Sequence, residues 1–146
     1  MIELPEKLKA SVHFFSKLQG IGEKSALRDA CEYALTTGGK RLRPLVVYLV
    51  ADALGHGIDV SSSAVSAEFF HTASLIADDL PCMDDDTTRR GKPCFHIKYS
   101  VVDAKKLSNK FILDALGLIY RNLSRFPNLI KIIIWTLKSR ITLFSN

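Results

Sequence analysis

The sequence predicts an all-α chain, and three observations carry that expectation. Apolar residues recur at three- and four-residue steps in several segments. Glycine or proline punctuates the intervals between them. No run alternates convincingly, and no Asn-Gly or Asp-Gly pair marks a hairpin. A length of 146 residues with 47% hydrophobic content suits one domain with a single core.

The elements follow in order. Ala26 to Leu35, ALRDACEYAL, is helical in period and runs into Thr36-Thr37-Gly38-Gly39, where glycine just past the helix gives the expected stop. Pro44 suits the first turn of a second helix, and LVVYLVADAL continues it from Leu45 to Leu54 until Gly55-His56-Gly57 ends it. Ser61, Ser62 or Ser63 can cap a third segment, AVSAEFFHTASLIADD, along which Val65, Phe69, Thr72 and Ile76 form one stripe. From Val101 the composition shifts toward Ile, Leu, Lys and Asn, and Pro127 divides this tail into two candidate helices. Core packing with a solvated basic face is the ordinary reading of their apolar stripe. The alternatives are a membrane-surface segment with Trp135 at the interface and a segment with no native fold at all.

The net charge of +5 is unevenly spread: residues 1–100 hold 12 Lys/Arg against 13 Asp/Glu, and residues 101–146 hold 8 against 2. The basic character therefore belongs to the tail, which argues against nucleic acid as a chain-wide partner. Cys31, Cys82 and Cys94 are odd in number and show no CxxC or Cys/His ligand spacing, so reduced thiols in a cytoplasmic protein are expected. The N-terminal stretch lacks a signal h-region. No run reaches the roughly 18–20 apolar residues of a membrane span, so stable membrane insertion is not expected.

The chemistry concentrates in Leu75 to Gly91, LIADDLPCMDDDTTRRG, where five aspartates and two adjacent arginines share seventeen positions. Carboxylates repel phosphate, so acids beside arginines suggest a divalent cation between them. Aspartates hold Mg²⁺ through oxygen, Mg²⁺ holds phosphate oxygens, and arginine forks grip the remaining charge. Asp78 and Asp84 are six apart, about 120° out of register on an ideal helix, whereas Asp85 at seven would align better. Pro81 lies between them and breaks the ladder, so spacing alone leaves Asp84 and Asp85 both open.

Gly39-Lys40-Arg41-Leu42-Arg43-Pro44 is a second anion site. Lys40 and Arg43 are neighbours at a helix start, whose free N–H groups and positive dipole end also favour phosphate. His71 lies seven residues, two helical turns or about 10 Å, before Asp78. Two anion sites, only one with a metal cage, suggest two phosphorylated substrates held differently. His13 reads as a surface residue, His56 as a turn residue, and His96 as a candidate that could approach the site. An all-α nucleotide pyrophosphohydrolase also uses acidic helices and Mg²⁺, but it expects paired glutamates, and Glu68 stands alone in the site helix.

With GGKRLRP and EFFHTASLIADDLPCMDDDTTRRGKP both in view, the chain resembles the trans (head-to-tail) isoprenyl diphosphate synthases, the group that includes farnesyl and geranylgeranyl diphosphate synthases. The resembling stretch runs from about Gly20 to Ile97. It implies an isoprenoid-synthase-type helical bundle, truncated here, and a short-chain prenyltransferase that condenses isopentenyl diphosphate with an allylic diphosphate by Mg²⁺-assisted ionisation. Gly39, Lys40, Arg43 and His71 would bind isopentenyl diphosphate, with Arg90 assisting. Asp78 and Asp84 would ligate Mg²⁺, Asp79 would support them, and Arg89 would bind the allylic diphosphate. The family pattern selects Asp84 over Asp85. Small residues at Ala73 and Ser74, the fifth and fourth positions before the first aspartate, favour a geranylgeranyl over a farnesyl product. Family members are generally homodimers, so a homodimer or a pairing with a full-length synthase is expected.

The departures are as informative. Family members are about twice as long and carry a second aspartate-rich motif, whereas after position 86 this chain has only Asp103 and Asp114 as aspartates. Residues 1–100 therefore read as the N-terminal part of a polyprenyl synthase domain and 101–146 as a divergent basic-hydrophobic tail. A truncated gene product is the expected origin, and a non-catalytic relative or partner subunit is the alternative function. Sequencing the locus tests the truncation: an open frame that resumes the family pattern beyond a single-base shift would support it.

Overall fold

The computed structural model describes residues 25–54 and 59–123. The readings of His13, His56, Trp135 and the second tail helix lie outside these residues.

Helix α1 spans Ala26–Thr36. It starts at Ser25, whose hydroxyl accepts from the Arg28 N–H at 3.2 Å, as a short polar side chain at that position should. At its other end Thr36 and Thr37 donate to the carbonyls of Glu32 and Tyr33, each at 2.6 Å, before Gly38 and Gly39 carry the chain away with φ of 97° and 122°. Helix α2, Leu42–Ala53, holds Pro44 in its first turn, as expected from its fixed φ and missing N–H.

Helix α3, Ser61–Asp78, is the central element, and the stripe Val65, Phe69, Thr72 and Ile76 is buried along it. The expected serine cap is corrected by the structure. The N-cap is Val60 and makes no side-chain cap bond. Asp59 serves the helix start instead, its carboxylate accepting from the Ser61 N–H at 2.9 Å.

Two short strands, β1 Thr88–Arg89 and β2 Lys92–Pro93, pair antiparallel, an addition to the all-helical expectation. Arg90 and Gly91 connect them with φ of 54° and 75°, the two positive values a tight hairpin turn of this length needs. A one-turn helix α4, Phe95–Lys98, leads into α5, Val101–Leu123. Ser100 and Asp103 start α5 reciprocally. The Asp103 N–H donates to the Ser100 hydroxyl at 3.0 Å, and that hydroxyl donates to the Asp103 carboxylate at 2.7 Å.

Packing of α5 on α3 makes the core. Ala104, Leu107, Phe111, Ala115 and Leu118 recur at three- and four-residue steps and are all buried with Phe69, Ala73 and Ile76. Phe111 stacks on Phe69 with ring centroids 5.1 Å apart, and Ser108 donates to the Ala73 carbonyl at 3.0 Å. Residues 101–123 thus contribute to the same core as the helices before them. Among the described residues no helix is long and apolar enough to cross a membrane.

Candidate active site

The acidic end of α3 is organised by its break. Past Asp79 the ladder stops ahead of Pro81, and the chain folds back so that the Asp84 N–H donates to the Asp78 carbonyl at 2.9 Å. The residue that a continuous helix would have turned about 120° away is thereby returned to the first aspartate. Asp85 takes a φ of 55°, and its N–H goes to the Leu80 carbonyl at 3.2 Å.

The five carboxylates are not equivalent. Asp79 is buried, and Arg89 covers it: Nε donates to Oδ1 at 2.7 Å and a terminal nitrogen pairs with the same oxygen. That nitrogen also reaches Asp86 at 3.3 Å. The Arg89 pKa is raised above its ordinary value, first by the hydrogen bond to Asp79. Beside this pair the buried Cys94 thiol is pushed up to about 12, by burial first and then by its hydrogen bond to Asp79, so it is a packed thiol rather than a nucleophile. Asp78 is half-buried and Asp84 exposed, and no ion pair among the described residues engages either one.

No group of three or more His, Cys, Asp or Glu is poised to hold a metal among the described residues. Mg²⁺ commonly takes only one or two carboxylates and completes its shell with water and phosphate. The Asp78–Asp84 pair fits that mode, whereas Asp79 is already neutralised by Arg89.

Gly38 to Arg43 lines a separate pocket together with Glu68, His71 and Arg90. Arg90 reaches across from the hairpin, donates to the Gly38 carbonyl, and lies over Gly39. Its φ of 122° is one that side chains rarely adopt, so the backbone favours glycine there, and a Cβ, 2.9 Å from the Arg90 Cζ, would also push the flexible Arg90 terminus aside. Gly39→Ala is expected to cost about 1–3 kcal/mol and to dislodge Arg90. An unchanged thermal melt would contradict this.

Lys40, Arg43, His71, Arg90 and Gly39 all line one open pocket of about 1030 Å³, solvent space included. A cleft of about 490 Å³, measured the same way, adjoins it, shares His71 and Arg90, and extends to Asp79, Arg89 and Leu75. Segments far apart in sequence are therefore brought to one place. Asp78 and Asp84 line neither cavity, and neither does the buried His96, whose Nδ1 has no hydrogen-bond partner. A concave site with a lysine, a histidine and three arginines, one of them (Arg41) paired with Glu68, suits a polyanion rich in oxygen acceptors.

The pKa of His71 is lowered, first by burial and then by Arg43, with Arg90 and Arg41 adding to it and Glu68 opposing. The folded protein resists protonating His71. Below the ordinary value of 6.5, the unfolded chain therefore binds more protons than the folded one. Stability is full above that value and falls as pH drops from it through the lowered folded value. Melting temperature should decline over this window, and His71→Gln should flatten the decline.

Sequence reasoning missed three contributors. Tyr33 tethers the hairpin to α1, its hydroxyl donating to the Pro93 carbonyl at 2.6 Å. Arg41, with a left-handed φ of 52°, pairs with the buried Glu68 and also donates to the Leu35 carbonyl. The available signal was Glu68 itself, because an acid on an apolar helix face needs a cation.

Comparison with known proteins agrees with this architecture. Residues 24–140 match the family model described as polyprenyl synthetase, a range that runs past the composition change at Val101. The chain is 48% identical over 84 residues to the geranylgeranyl diphosphate synthase of Cereibacter sphaeroides, covering 56% of this chain and 29% of that one. It is 42% identical over 103 residues to the farnesyl diphosphate synthase of Bacillus subtilis, covering 68% and 34%. The crystal structure of a geranyltransferase from Legionella pneumophila superposes with a TM-score of 0.73 at 32% identity, over 82% of this chain and 42% of that one. A geranyltranstransferase from Thermotoga maritima gives 0.70 at 34% identity, over 80% and 43%. The chain spans about a third of the length of these curated relatives. Its fold is the corresponding part of the isoprenoid synthase helical bundle, and the chain belongs to the polyprenyl synthetase family.

Proposed function

We propose that the chain is a short-chain prenyltransferase that binds isopentenyl diphosphate between Gly39 and His71 and joins it to an allylic diphosphate. The observation that carries this reading is the convergence of Lys40, Arg43, His71 and Arg90 on one pocket beside the acidic end of α3. Lys40 and Arg43 supply charge, neutral His71 supplies a hydrogen bond, and Arg90 closes the pocket from the hairpin. Asp78 and Asp84 would hold Mg²⁺, whose charge offsets that of the departing allylic diphosphate. Asp79 fixes Arg89 at the edge of the adjoining cleft, where its remaining exposed face can meet the allylic diphosphate. Fixed charge of this kind favours ionisation because it needs no reorganisation as the bond breaks.

A geranylgeranyl-length product is favoured by the small side chains at positions 73 and 74. Ala73 is buried against α5, so Ser74, which is exposed, is the position left to meet a growing chain. The working compartment under this reading is the cytoplasm, and the assembly is a homodimer or a pair with a complete synthase.

The alternative reading is a partner subunit that contributes to prenyl transfer only beside a complete synthase. Incubation of the purified chain with Mg²⁺, labelled isopentenyl diphosphate and farnesyl diphosphate separates the readings. Labelled C20 product from the chain alone supports the enzyme, and product only with an added full-length synthase supports the subunit. No incorporation attributable to the chain in either case would overturn a role in prenyl transfer.

A further inference from the structure

We infer that Arg41 and Glu68 form a positioning pair for the diphosphate pocket, Arg41 neutralising the one carboxylate among its described lining residues while pinning the turn that presents Lys40 and Arg43. The inference rests on the reading of that pocket as a diphosphate site.

Glu68 is nearly inaccessible, with 4% of its side chain exposed against 17% for Arg41. It sits one turn before His71, on the same face of α3. Left unpaired, its carboxylate would repel any diphosphate entering beside His71. Arg41 meets that charge and with the same guanidinium donates to the Leu35 carbonyl, one of the terminal carbonyls of α1 that lack a partner within the helix. One side chain at the start of α2 thereby ties that start to α1 and α3. The left-handed backbone of Arg41 is unfavourable for a residue with a Cβ, so it needs contacts that over-determine it. A planar fork reaching two acceptors supplies them, and a lysine could not replace it. Electrostatic coupling is in place as well, since Arg41 and Glu68 act on the His71 pKa with opposite sign. All of Lys40-Arg41-Leu42-Arg43 lines the pocket, and its cations divide by role: Lys40 and Arg43 are left for the anion, while Arg41 is engaged by Glu68 and the Leu35 carbonyl.

Calorimetric titration of the full chain with isopentenyl diphosphate in the presence of a chelator tests the pair. Arg41→Met should weaken binding by about tenfold or more, because it frees the Glu68 charge and the turn together. Glu68→Gln keeps an acceptor for Arg41 and removes the negative charge, so binding should tighten by about threefold. The double variant Arg41→Met/Glu68→Gln should bind at least about threefold tighter than Arg41→Met alone. A pair with a merely structural role predicts the reverse, a double variant as weak as or weaker than the single one. Arg41→Met within twofold of the unaltered chain, or a double variant no tighter than it, would overturn the inference. Should Arg41→Met not fold, Glu68→Gln still decides: tighter binding supports the pair, and unchanged or weaker binding overturns it. No binding by the unaltered chain would remove the diphosphate reading and the pair with it. Binding that ignores all three variants would remove the pair alone.

Discussion

Phe111→Ala is expected to destabilise the protein by about 4 kcal/mol, within the range for deleting a fully buried aromatic side chain. At about 2–4 °C per kcal/mol for a domain of this size, the melting temperature should fall by roughly 8–16 °C. Phe111 is 2% exposed and stacks on Phe69 in the middle of α3, directly beneath the turn of helix that carries His71. The variant therefore asks whether α5 belongs to the same cooperative unit as the pocket. A single unfolding transition, shifted as a whole, is the expected outcome. A small loss confined to a separate early phase would show that residues 101–123 are an appendage rather than core.

Arg89→Ala is the second large effect. It leaves the buried Asp79 carboxylate without its guanidinium, and an uncompensated buried charge costs about 3 kcal/mol or more. Arg89→Ala/Asp79→Asn should recover part of the stability, because the charge and its partner are removed together. Chemical denaturation of the single and double variants measures this. No recovery in the double variant would show that the pair carries no such charge.

Much of this fold was legible in the sequence because its signals are local. Three- and four-residue periodicity placed the helices, the Thr-Thr-Gly-Gly run ended α1, and Pro81 broke α3 near the first aspartates. Capping was less legible: three serines offered a start for α3, but Asp59 one turn position earlier competes for the same N–H groups. The hairpin escaped because its turn is Arg90-Gly91, with an arginine where asparagine or aspartate would have announced positive φ. The core role of α5 was present in the spacing of Ala104, Leu107, Phe111, Ala115 and Leu118, yet the change in composition at Val101 obscured it.

The candidate site divides the same way. GGKRLRP and the aspartate–arginine segment each suggest phosphate by composition, and the structure brings Gly39, Lys40, Arg43, His71 and Arg90 to one pocket. The Arg41–Glu68 and Tyr33–Pro93 contacts join residues 27 and 60 positions apart, and no local pattern encodes such pairings. They are products of the packing of α1, α2 and α3, and they decide which arginine of the motif is left for an anion.

The most direct test of the central claim is equilibrium binding of isopentenyl diphosphate to the unaltered chain, to Arg43→Gln, to Arg90→Gln and to the double variant. If both arginines grip the same diphosphate, each single change should weaken binding by about tenfold. The double variant should then deviate from additivity, because the two side chains share one ligand. Unchanged affinity in both single variants would contradict a pocket built jointly from the Gly39–Arg43 turn and the hairpin.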